Sequence, residues 1–166
     1  KSDGLFAKLI HHSSYKDNNQ VLYRAMVSAA QNGNTPRVKA LQKKLVEERE
    51  YEPAVRWVID SFVAQPTMKK TEAIEYAELA ENMLAESVDA ESASYWRMVM
   101  ARIRVGLKNY EGAVAILRED KSMLPHGYLL LAQVLVVSGD EVEYLKVLHE
   151  MLDFIELEDP TETKFF

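Results

Sequence analysis

Residues 92–125, SASYWRMVMARIRVGLKNYEGAVAILREDKSMLP, constrain the fold more than any other stretch of the chain. Trp96, Val99, Met100, Ile103 and Leu107 recur at the three- and four-residue spacing of one helical face, which predicts an amphipathic helix. Lys108-Asn109 follows as a turn. Tyr110, Ala113, Val114, Ile116 and Leu117 then predict a second helix, which fades into the charged run Arg118-Glu119-Asp120-Lys121. Two helices joined by so short a connection must lie antiparallel, and a lone hairpin cannot bury both of its faces. Further hairpins are therefore required.

The rest of the chain supplies them. Leu22, Ala25, Met26 and Ala29 line a helix that stops at Asn32-Gly33, where glycine suits a C-terminal cap. Thr35 is expected to cap the next helix, with Pro36 at its first position and Val38, Leu41 and Leu45 facing inward. A second pair runs from Pro53, with Val55, Val58, Ile59 and Phe62 inward, and from Thr71-Glu72, with Ala73, Tyr76, Ala77, Ala80, Met83 and Leu84 as its stripe. The last pair is 127–137 and 141–155, joined at Ser138-Gly139-Asp140. Its second helix carries Val142, Tyr144, Leu145, Val147, Leu148, Met151, Leu152, Phe154 and Ile155, a set wider than the roughly 100° stripe of an ordinary surface helix. Something should cover that helix: the tail ending Lys164-Phe165-Phe166, a partner, or a second copy.

The turns fall near Gly33-Asn34, Met68-Lys69, Lys108-Asn109 and Gly139-Asp140, and prolines stand at Pro53, Pro125 and Pro160. A recurrence in the mid-thirties built from helix hairpins is the mark of an α-solenoid. The expected organisation is an N-terminal arm or short docking helix over 1–18 (Leu5, Phe6, Leu9 and Ile10), a repeat domain over 19–157, and an acidic tail over 158–166.

Trp96, Ala101, Tyr110, Ala113 and Pro125, with LKNYEGAVAIL, resemble the tetratricopeptide repeat family. That resemblance implies an all-α fold of about four antiparallel hairpins in a right-handed superhelix. It also implies a scaffold or adaptor that binds a peptide or protein partner within a larger complex. Residues 23–53, YRAMVSAAQNGNTPRVKALQKKLVEEREYEP, are similar to the pentatricopeptide repeats as well, a family that reads single-stranded RNA one base per repeat. Where that family carries a small polar reading residue, this chain has Arg24 and Arg97.

On the concave side such a stack would present, Arg97, Ala101, Arg104 and Lys108 form a strip suited to an acidic peptide, since arginine pairs carboxylates bidentately. The competing expectation is internal pairing with Glu75, Glu78 or Glu86. Tyr144, Val147 and Met151 on the apolar terminal helix are the other candidate contacts, for a partner or for self-assembly into a homo-oligomer. Arg37, Lys39, Lys43 and Lys44 are the candidates for an alternative nucleic-acid-binding role of the N-terminal hairpin.

Charge bears on that alternative. Residues 1–50 hold nine Lys and Arg against five Asp and Glu, and residues 51–166 hold eleven against twenty-one. A net charge of −6 runs against the basic footprint that nucleic acid demands, although such a bipolar chain can meet partners of either sign. With no cysteine there is no thiolate nucleophile, disulfide framework or cysteine-based zinc site. His11-His12 point about 100° apart on a helix and lack a third ligand, and His149 with Asp153 form a single i, i+4 pair. No phosphate loop, dinucleotide fingerprint or nucleophilic triad stands out. A non-enzymatic protein without cofactor or metal is expected. No apolar run reaches the length of a membrane span. The start at Lys1 suggests an excised fragment, and the lack of a signal-peptide pattern favours an intracellular setting.

Overall fold

The computed structural model describes Gly4, Lys8 and residues 17–65, 67–123 and 125–158, with the side chains of 155–158 excepted. The described residues form eight α-helices and no strand: the chain is all-α. It divides into two compact units, residues 1–62 and 63–166, a boundary that falls within the 19–157 stretch.

The first unit contains α1 (Asn19–Gln31), α2 (Thr35–Gln42) and nearly all of α3 (Glu52–Val63). Asn18 caps α1 by accepting from the Val21 N–H at 3.0 Å. The inward face is the one expected: Leu22, Ala25, Met26 and Ala29 are buried, joined by Leu41 and Leu45. Past Gln42 the helix widens into a π-turn over Lys43–Glu47. The extra residue in that turn lets two successive side chains, Leu45 and Val46, both reach the core. Before α3, Tyr51 meets Tyr23 edge-on, with ring centroids 6.2 Å apart.

The second unit contains α4 (Lys70–Glu86), α5 (Ala90–Gly106), α6 (Tyr110–Arg118), α7 (Pro125–Ser138) and α8 (Glu141–Glu158). Each helix packs against the next in sequence, and α5 also packs against α7. At the centre lie Trp96, Val99, Met100 and Ile103 of α5, all nearly inaccessible, with Ala113, Ile116 and Leu117 of α6 and Leu131, Val134 and Leu135 of α7. Trp96 also takes the edge of Tyr95 at 4.9 Å.

Three hairpin turns share one backbone device. A residue in the left-handed region is followed by an Asn or Asp that caps the next helix: Gly33-Asn34, Lys108-Asn109 and Gly139-Asp140, with φ of 68°, 61° and 80° at the first residue. In each, the N–H of the capping residue donates to a carbonyl five residues back, at Ala29, Arg104 and Leu135. Its side chain accepts from the N–H three residues on, at Arg37, Gly112 and Glu143. The cap of α2 is therefore Asn34; Thr35, expected there, is already the first helical residue. The fourth turn is built otherwise, because Lys69 makes no capping bond through its side chain.

Candidate docking surface

The last hairpin joins two helices with more apolar surface than one interior can take. On α7, the run PHGYLLLAQVLVVS buries Leu131, Ala132, Val134 and Leu135 and leaves Leu129, Val136 and Val137 on the outside. On α8, Val147 is fully buried and is the anchor of the helix. Tyr144, Leu148, Met151 and Phe154 lie half-buried around it, and Phe154 meets Tyr128 of α7 with ring centroids 6.1 Å apart. The opposite side of α8 carries Val142, Leu145 and Leu152. These three, with Val136 and Val137, are each more than half exposed. Single exposed apolar residues need no explanation, but five on one hairpin are more than its own packing accounts for.

The hairpin also has relief. Leu135, Val136, Gly139, Glu141, Tyr144 and Leu145 line an open notch of about 370 Å³ between the end of α7 and the start of α8. The left-handed backbone at Gly139 makes the tight corner that brings these two helix ends together. The notch is mostly apolar, with Glu141 on its rim.

Charges fix α8 from its other side. Arg118 of α6 donates to Glu143 at 2.6 Å and to Glu150 at 2.7 Å, while Lys146 donates to Glu143 at 2.9 Å. The Lys146 hydrogen bond, with the attraction of Lys146 and Arg118, holds the Glu143 carboxyl below its ordinary range, and burial opposes this only in part. The same hydrogen bond and the Glu143 charge raise Lys146. Arg118 loses some hydration by burial, yet Glu150 and Glu143 more than compensate and raise it too.

The expected strip on α5 is placed otherwise than its spacing implied. Ala101 is fully buried, so it packs the core and offers nothing to a partner. Arg97 is directed at Asp120, 3.6 Å away, whose side chain is only 2% exposed. Its partner therefore follows it in the chain, rather than being Glu75, Glu78 or Glu86 on α4. Arg104 donates to the Gly112 carbonyl at 2.6 Å, tying the end of α5 to the first turn of α6. Lys108 is exposed in the left-handed turn. Of the candidates on α8, Val147 is likewise interior, whereas Tyr144 lines the notch and Met151 lies half-buried beside the anchor. Val142, Leu145 and Leu152, which sequence reasoning had not separated from the rest of the helix, face outward instead.

On the N-terminal hairpin, Lys39 and Lys43 are exposed and Arg37 is half-buried. Lys44 shares Asp17 with Arg49, at 3.5 and 3.0 Å. The four cations are thus not one continuous free patch. The expectations placed on Leu5, Phe6, Leu9, Ile10, His11-His12, Pro160 and Lys164-Phe165-Phe166 lie outside the described residues. Among the described residues no three His, Asp or Glu gather as a metal site, and no helix is long and apolar enough to cross a membrane. No protein-family model, curated protein or solved structure matches this chain.

Proposed function

We propose that the chain is a non-enzymatic protein-interaction module, a scaffold or adaptor of tetratricopeptide-like helical hairpins, and that it docks a protein partner on the outer face of α7 and α8. One observation carries the reading: Val136, Val137, Val142, Leu145 and Leu152 are each more than half exposed on one helical hairpin, and Val136 and Leu145 among them line an apolar notch between its two helices. Covering such a face removes apolar surface from water at roughly 25 cal/mol per Å², the usual source of protein-association energy. The repeated turn device, and within the second unit the packing of each helix on its successor, support the helical-repeat part of the reading. The α5 strip is the weaker candidate surface, because Arg97 and Arg104 already spend their guanidinium groups inside the protein.

The test is affinity purification of the tagged protein from its native cells, with nuclease present, for wild type and Leu145→Arg. Leu145 is exposed, so the variant should keep the wild-type circular dichroism and melting temperature. Loss of a stoichiometric protein partner in the variant supports the reading. A partner retained at full stoichiometry would place binding elsewhere and overturn it.

A further inference from the structure

The pattern of α8 points to what covers the face. Val142, Leu145, His149 and Leu152 are spaced three, four and three residues apart, so they form one stripe down the helix. All four are exposed. Lys146 and Asp153 each follow a leucine of that stripe by one position. Seven residues apart, they occupy the same flank and carry opposite charge. A stripe flanked in this way is complementary to itself run backwards.

We infer that a second copy of this chain covers the α7–α8 face, with the two α8 helices antiparallel across a two-fold axis at the level of His149. In that arrangement Leu145 of each copy lies opposite Leu152 of the other, and Lys146 of each lies opposite Asp153 of the other. The contact is isologous, so every favourable pair is made twice. Lys146 already bonds Glu143, but an ammonium has three donors and remains open to a second carboxylate. The notch explains the direction. It sits beside Leu145, toward the start of α8, and only the antiparallel arrangement brings the Leu152 side chain of the other copy to it. A parallel pairing would bring Leu145 of the other copy to that level, and would put Lys146 and Asp153 of the two copies on opposite sides of the seam, where they could not pair.

The size of the face fits. Helices of 14 and 18 residues are about 21 and 27 Å long at the usual helical rise. Side by side at roughly 10 Å spacing they present about 500 Å² in projection, the same order as the roughly 800 Å² per partner of a standard stable interface.

This inference rests on the reading of the face as a docking surface and names its partner. It is tested on the purified protein alone. Sedimentation across a wide concentration range should show a monomer–dimer equilibrium, and Leu152→Glu should weaken it by at least about tenfold with unchanged circular dichroism. Lys146→Asp should weaken it too, and adding Asp153→Lys should restore it. Because the chain has no cysteine, single cysteines report the register. His149→Cys should form a disulfide-linked dimer on mild oxidation, whereas Val142→Cys, about 10 Å further along the helix, should not.

Equal cross-linking at both positions would mean parallel pairing and overturn the inference. A dimer indifferent to Leu152→Glu would overturn it as well, by putting the interface on another face. A monomer at every concentration would remove the second copy as occupant. If Leu145→Arg still lost a cellular partner in that case, the docking face would stand with a different protein on it; if it lost none, both readings would fall.

Discussion

Arg118 and Glu143 meet at 2.6 Å, and through this pair α6 holds the outermost helix of the second unit by charge as well as by packing. Lys146 approaches the same carboxylate from within α8. The Glu143 carboxyl is held below its ordinary value of 4.5 by the Lys146 hydrogen bond first, with the Lys146 and Arg118 charges adding to it. A carboxyl depressed in the folded state binds fewer protons than in the unfolded chain, so stability rises with pH through this range. The contribution is fully present above about pH 4.5 and is lost as pH falls through the lowered value. Melting temperature measured from neutral pH downward should therefore drop less steeply for Glu143→Gln than for wild type. Identical slopes would mean that the triad does not stabilise the fold.

The two sides of α8 should respond unequally to truncation. Val147 is fully buried, and Val147→Ala should cost about 2 kcal/mol through lost burial and a small cavity. Leu152 is more than half exposed, so Leu152→Ala should stay within about 0.5 kcal/mol in dilute protein. Urea denaturation of both variants, at a concentration where the chain is monomeric, is the measurement.

Asp120 is the most buried acidic side chain described, and its Oδ1 also accepts from the Ser122 N–H at 3.1 Å. Asp120→Ala removes that bond and strands the half-buried Arg97, so a loss of about 3 kcal/mol is expected. Arg97→Glu should be at least as damaging, because it sets two carboxylates together away from water. A binding defect in Arg97→Glu therefore counts as evidence for a contact only if the melting temperature of the variant is unchanged.

The left-handed turn residues offer a matched pair of substitutions. Gly139 has φ of 80°, and a side chain there strains the backbone, so Gly139→Ala should lose about 1 kcal/mol. Lys108 bears that strain already at φ of 61°, and Lys108→Gly should recover up to about 1 kcal/mol. Thermal melts of the two variants should shift in opposite directions.

What the sequence made legible follows from how local each cause is. The stripe Trp96, Val99, Met100 and Ile103 is read from spacing alone, and it is the buried face of α5. The turn at Lys108-Asn109 is equally local, since its capping bond spans three residues. The inner and outer sides of α8 were not separable, because apolar residues run nearly all round the helix and only its neighbours decide that Val147 goes in and Leu145 stays out. The hydrogen bond of Arg104 was hidden for a related reason. It bonds a backbone carbonyl, at Gly112, and backbone acceptors leave no mark in a list of side chains. Asp120 sits in a run of charges that reads as solvated, and nothing local announces that one of them turns inward. The π-turn over Lys43–Glu47 has no signature either, since a single added residue is absorbed without glycine or proline.

The shared corner at Gly33-Asn34, Lys108-Asn109 and Gly139-Asp140 closes on bonds that never span more than five residues. Its angle is thus set by the chain passing through it and owes little to whatever is stacked above or below. Each of these three corners therefore carries its own bend, and a substitution in the core beside it should loosen the packing of its two helices before it changes the way the chain turns between them.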